Sequence, residues 1–170
     1  NQKILKPDFY LQEDVVLLAK KFLGKILYTK IDNQITAGRI IETESYRGID
    51  DKACHAYGNR LTPRTKPMFE KGGITYIYLC YGMHHLLNIV TNKKNIPHAV
   101  LIRAVEPLEG IDIMLKRRNK KKLDKTLTSG PGSLSKALGL TKKENGISFQ
   151  GPKIWIEDAP EIPADIISAA

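Results

Sequence analysis

Thr75-Tyr76-Ile77-Tyr78-Leu79-Cys80-Tyr81-Gly82-Met83-His84-His85-Leu86-Leu87-Asn88-Ile89-Val90 holds two runs rich in aromatic and aliphatic residues around one glycine. The pattern predicts a β-hairpin with Gly82 in the turn. Its tip carries Tyr81 and Met83, although hairpin turns are normally polar. Either the tip is buried against another element, or it is a wedge. Side chains that wedge between base steps are typically apolar.

Similar short runs lie on either side: Lys25 to Thr29, Gly38 to Tyr46 and Ala99 to Val105, each rich in Val, Ile, Thr or Tyr. With the hairpin arms they predict a sheet of several strands. Leu11 to Leu18 and Phe22 recur at helical spacing, so one amphipathic helix is expected there, stopped near Gly24. A second helix is expected over Glu109 to Asn119, and a short third one over Leu134 to Leu138 before Gly139. Arg47 to Gly73 is a long polar segment with Pro63 and Pro67. Connections of that length are usually functional. A short helix around Asp50 to Tyr57 is one reading of part of it.

The chain has 170 residues, which fits one domain over 1–170, and 42% of them are hydrophobic, enough for a core. No run reaches the roughly 20 apolar residues of a membrane span. Asn1 to Tyr10 has no apolar stretch, so no signal peptide is expected. Two cysteines, Cys54 and Cys80, make no disulfide framework. The formal charge is +9. Such an excess favours a polyanionic partner, nucleic acid first. Lys116 to Lys125 alone carries seven basic residues against one acid. It is either a solvated loop or a strip that contacts phosphates. Ser129-Gly130-Pro131-Gly132-Ser133 opens the third helix, as an anion cradle or a simple cap.

Arg39-Ile40-Ile41-Glu42-Thr43-Glu44-Ser45-Tyr46 reads as a strand. At period two, Ile40, Glu42, Glu44 and Tyr46 share one face. That face is either exposed or lines a pocket. The four histidines show no HExxH and no paired CxxC, so a zinc site has little support, and no zinc-deaminase signature is present. Cys54 beside His55 lacks the surroundings of a thiol nucleophile.

In order along the chain stand Arg39 to Tyr46, His55, Thr62-Pro63-Arg64, Tyr76 to Met83, Asn88, Leu101 to Gly110 and Ser129-Gly130-Pro131. Together these motifs resemble the alkyladenine (3-methyladenine) DNA glycosylase family, from about Phe9 to the end of the chain. The resemblance implies a hydrolase of DNA repair that flips alkylated or deaminated purines out of duplex DNA. It implies one compact α/β (α+β) domain around a curved, largely antiparallel sheet, with flanking helices and a protruding hairpin. No metal or organic cofactor is implied. The partner that the resemblance implies is damaged double-stranded DNA, wedged from the minor-groove side, and a monomeric enzyme is expected, in the cytoplasm, at the nucleoid if bacterial or in the nucleus if eukaryotic.

Residue by residue, Glu44 matches the general base and Arg103 the cation that keeps it ionised. Tyr46, His55 and Tyr78 match the walls of the base pocket, and Asn88 a gate on its floor. Tyr81, with Met83 beside it, matches the side chain that fills the hole in the duplex. No lysine is matched to an imine-forming nucleophile, so strand scission is not expected. The chain ends before the family's usual last segment. Two rivals remain from residues alone. A non-catalytic basic nucleic-acid binder would not need Glu44 with Arg103. A sugar hydrolase would use Glu42 and Glu44 as a couple, without explaining the charge or the hairpin tip.

Overall fold

The structure, a computed structural model, describes residues 3–48, 65–80 and 82–160. Six strands form one curled antiparallel sheet, a half-barrel. They are β1 (Ile26–Ile31), β2 (Gln34–Arg47), β3 (Thr75–Cys80), β4 (His84–Thr91), β5 (His98–Glu109) and β6 (Ile154–Glu157). Their spatial order is β3-β4-β5-β2-β1-β6. The described helices are α1 (Val15–Phe22), α2 (Ile111–Arg117) and α3 (Pro131–Ala137).

The expected hairpin is β3–β4, with Cys80 opposite His84 and the Met83 N–H donating to the Cys80 carbonyl at 3.1 Å. Gly82 sits at φ +68°, a left-handed conformation that costs glycine little. β1 and β2 form a second hairpin around Asp32 and Asn33, both at positive φ, as the right-handed twist of paired strands favours. β6 has no counterpart among the expected runs. It is four residues long and adds to the free side of β1.

The first helix is shorter than its apolar spacing suggests. Leu11 closes a separate 3-10 turn, Pro7–Leu11, and Gln12 is extended. Asp14 then caps α1, its carboxylate accepting from the Leu17 N–H at 3.0 Å. Val15, Leu18, Ala19 and Phe22 turn inward at helical spacing, while Val16 and Leu17 face out. They pack with Tyr10, Phe149 and the inward residues of the sheet: Leu27, Ile40, Leu87, Ile89, Val100 and Ile102. Tyr10 stacks on Phe149 with ring centres 5.7 Å apart, and Phe9 meets Phe22 edge-on at 5.3 Å. The second helix starts later than Glu109, because β5 runs through that residue.

One irregularity sets up everything that follows. Pairing of β2 with β5 slips at Ile40, Glu42 and Thr43, leaving Ile41 and Arg103 without direct partners. A bulge re-aims the side chains beyond it. Ile40 and Val105 belong to the core under the helices on one side of the slip. On the other side Thr43 takes over that inward face, its hydroxyl donating to the Ala19 carbonyl of α1 at 2.9 Å. Ile40 therefore does not share a face with Glu44 and Tyr46, contrary to the simple alternation. The paired Ile40-Ile41 was the visible sign of the break.

Candidate active site

The face of the sheet away from the helices carries a second, smaller cluster. Met68, Phe69, Tyr76, Val90 and Ala99 form it, with Tyr46, Ile74 and Tyr78 packed against them. Met68 and Phe69 come from the short turn Lys66–Phe69, which lies against β3, β4 and β5.

Register places the polar groups of this face in line. Tyr76 is opposite Asn88, Asn88 opposite Leu101, and Leu101 opposite Glu44. Four strands thus present Tyr76, Asn88, Leu101 and Glu44 in one row, about 14 Å across for three ordinary strand spacings. The next row sets Val90 opposite Ala99 and Ala99 opposite Tyr46. Tyr78 stands two residues from Tyr76 on the same face, with ring centres 5.5 Å apart.

Glu44 is held at both oxygens. Arg103 Nη1 donates to Oε1 at 2.9 Å, and the Tyr46 hydroxyl donates to Oε2 at 2.8 Å. Both partners of the ion pair are a little over two-fifths exposed, Arg103 at 43% and Glu44 at 44%. A pair so wetted adds at most about 1 kcal/mol to stability. Its consequence is orientation: each carboxylate oxygen keeps a second lone pair that can accept from another donor, such as a water. The Tyr46 phenol is held protonated well above the usual tyrosine range. Burial is the main cause, followed by the hydrogen bond to Glu44 and by the negative charge of Glu44. Tyr46 therefore acts as a permanent donor to the carboxylate.

Asn88 is buried at 3% exposure. Its Nδ2 donates to the Tyr76 carbonyl at 3.3 Å and reaches the Leu86 carbonyl at 3.5 Å. The amide is thus tied to the backbone on both sides of the hairpin. Met83, at the tip, is 74% exposed.

The structure brings together Glu44, Arg103, Tyr46, Tyr78 and Asn88 on one face and puts Met83 at the hairpin tip. His55 and Tyr81 lie outside the described residues. Tyr76 was not singled out from sequence; its position two residues before Tyr78 was the available signal. Glu42 is exposed beside the bulge. In the basic run, Arg117 and Arg118 bond backbone carbonyls of Ala137 and of Thr126 and Leu127, and Lys120 pairs with Asp124 at 3.6 Å. Lys116, Lys121, Lys122 and Lys125 project into solvent. Gly130 caps α3 with no side-chain bond. Among the described residues no three His, Cys, Asp or Glu side chains come together as metal ligands. No helix among them is long and apolar enough to cross a membrane.

Residues 8–170 match the family model for methylpurine-DNA glycosylase. A relative from Chlamydia felis is 53% identical over 154 residues, covering 90% of this chain and 79% of its own length. One from Clostridium novyi is 46% identical over 166 residues, covering 94% and 82%. One from Chlorobaculum tepidum is 46% identical over 169 residues, covering 99% and 79%. The names of all three carry 3-methyladenine DNA glycosylase.

Proposed function

Because the chain belongs to the methylpurine-DNA glycosylase family, we propose that its outer sheet face takes an alkylated or deaminated purine flipped from duplex DNA. The purine stacks on Tyr46 and Tyr78, and Glu44 activates the water that displaces it. The observation that carries this reading is the Glu44 carboxylate fixed between Arg103 and Tyr46 at the edge of an aromatic face.

The chemistry follows from the charges. The water oxygen forms a bond to C1′ of the sugar while the bond from C1′ to the base nitrogen breaks. The electron pair leaves with the purine, and the water proton passes to Glu44. A 3-methylated adenine already carries a positive charge, so the departing electron pair neutralises it and one carboxylate suffices. A neutral purine such as hypoxanthine must also gain a proton as it leaves. Positioned proton transfer of this kind contributes about 10²- to 10⁴-fold. Electron-poor purines stack well on tyrosine rings, and each base–aromatic stack is worth about 1–3 kcal/mol.

On the motif match, His55 completes the stack, and Tyr81 with Met83 fills the gap in the duplex from the minor groove. Flipping costs a few kcal/mol of unstacking, least at a damaged base. Asn88, fixed by its backbone bonds, stands where the 2-amino group of guanine would meet a rigid amide. The enzyme acts as a monomer and leaves an abasic site, since no lysine is matched to an imine-forming role.

The test is incubation with duplexes each carrying one 3-methyladenine, hypoxanthine or ethenoadenine. Nicks that appear only after alkali are the expected result. Nicks without alkali would contradict the single-step reading, and no nicks with any lesion would contradict the glycosylase reading in favour of a binding protein.

A further inference from the structure

Beside the hairpin opens a cleft of about 580 Å³, separate from the row of Glu44, Tyr46, Tyr78 and Asn88. Met83 and His84 form one wall, Arg117 and Arg118 at the end of α2 a second, and Ser133 and Lys136 of α3 a third. Among the described residues the only carboxylate lining it is Asp32 of the β1–β2 turn, against three permanent cations.

Those cations differ in what already holds them. Arg117 Nη1 donates to the Ala137 carbonyl at 3.0 Å. Arg118 Nη1 donates to Thr126 and Leu127 carbonyls at 2.7 and 2.6 Å. Both guanidinium groups brace the backbone around α3, with further N–H donors to spare. Lys136 is exposed and forms no ion pair among the described residues. It adds a third positive charge to a cleft where the one described carboxylate, Asp32, already acts on Arg117, so the lining keeps a net positive charge.

The cleft is also rigidly joined to the hairpin. A Cβ at Gly132 would stand 2.7 Å from His84 Nδ1 and 2.9 Å from His84 Cβ, so the turn end of β4 rests directly on the first turn of α3. His84, the neighbour of the exposed Met83, is therefore packed directly against the helix that carries Lys136.

We propose that this cleft is a phosphate site: it grips the backbone of the DNA strand running past the point where Met83 enters the duplex, with Lys136 as the contact made only on binding. The inference rests on the glycosylase reading above for the direction from which DNA arrives. Its ligand chemistry is that of a phosphodiester. Charge-assisted bonds from Lys136 and from the spare guanidinium N–H groups suit it, and they read no base. Anchoring one strand beside the wedge resists the recoil of a kinked duplex.

The test is the salt dependence of binding to an undamaged duplex. One phosphate contact contributes about 0.9 to the slope of log affinity against log salt. Lys136→Gln is expected to flatten the slope by about that amount and weaken binding several-fold at low salt. Lys136→Arg restores the slope. Lys20→Gln, on α1 and outside the cleft, makes the same change in net charge and leaves the slope alone. A Lys136→Gln slope equal to the wild type would overturn the proposal. So would an equal flattening by Lys20→Gln, which would reduce the effect to net charge. Base release from a hypoxanthine duplex at saturating protein is read in parallel. If the wild type releases no base while the Lys136 effect persists, the glycosylase reading fails and the phosphate site stands.

Discussion

The two faces of the sheet are built from the same strands and do opposite work. The face under α1, α2 and α3 is dry and almost wholly apolar: Leu18, Phe22, Leu27, Leu87, Ile89 and Ile102 are all fully buried there. The other face carries three tyrosines, an asparagine and an ion pair that is only half covered. Alternation with period two lets each strand serve both, as in β4, where Leu87 and Ile89 face the helices and Asn88 and Val90 face the site. The bulge between β2 and β5 is where the two programmes meet. Without the slip, strict alternation from Ile40 would put Glu44 toward the helices, where a carboxylate would be buried beside apolar side chains at high cost. Stability and chemistry are thus separable in this molecule, and substitutions should show it.

The largest separable effect is expected from Phe22→Ala on the helix face. Losing a fully buried ring costs about 3–5 kcal/mol of stability. The rate of base release per folded molecule, measured in single turnover below the new melting point, should stay within a factor of two or so. A large loss of rate in protein that is still folded would show that the two faces are coupled.

Tyr78→Ala on the site face should do the reverse. Removing one stacking wall is expected to lower kcat/KM by about 1–3 kcal/mol in transition-state terms, which is five- to more than a hundredfold. The melting temperature should fall much less than for Phe22→Ala, because Tyr78 is only partly buried. Equal stability losses in the two variants would place Tyr78 with the core instead.

Asn88→Ser sharpens the comparison further, since Asn88 is buried yet sits on the site face. If it acts as a gate, the ratio of 7-methylguanine to hypoxanthine release rises. If it serves only to tie Tyr76 and Leu86, all rates and the melting temperature fall together with the ratio unchanged.

The smallest effect concerns alkaline pH. Tyr46 has its folded value raised above its unfolded one, so it adds stability that is complete below an ordinary tyrosine pKa of about 10 and is lost as pH rises beyond it. Tyr10 is raised in the same direction by burial. Tyr46→Phe should therefore soften the alkaline decline, leaving a curve still shaped by Tyr10. Following tyrosinate absorbance, one fewer late-titrating phenol is expected in the variant.

Much of this division can be read from the chain. The hairpin around Gly82, the helical spacing in α1 and the strand runs that carry Glu44 and Arg103 all leave local marks. So does the order of motifs that ties the sequence to its family. What resisted reading was set by contacts distant in sequence. β6 exists because β1 offers a free edge, a fact that four residues cannot announce. The bulge depends on β5 slipping beside β2, so only the doubled Ile40-Ile41 hinted at it. Tyr76 earned no separate role because its partner Asn88 lies across the hairpin, twelve positions along.

The central claim is that Glu44, held by Arg103 and Tyr46, is the base that activates water. The measurement that tests it most directly is single-turnover release of hypoxanthine or 3-methyladenine by the wild type and by Glu44→Gln, with lesion-duplex affinity measured on the same proteins. The account predicts a loss of about 10²-fold or more in rate, with affinity and melting temperature nearly unchanged. A Glu44→Gln protein that releases base at the wild-type rate would contradict it.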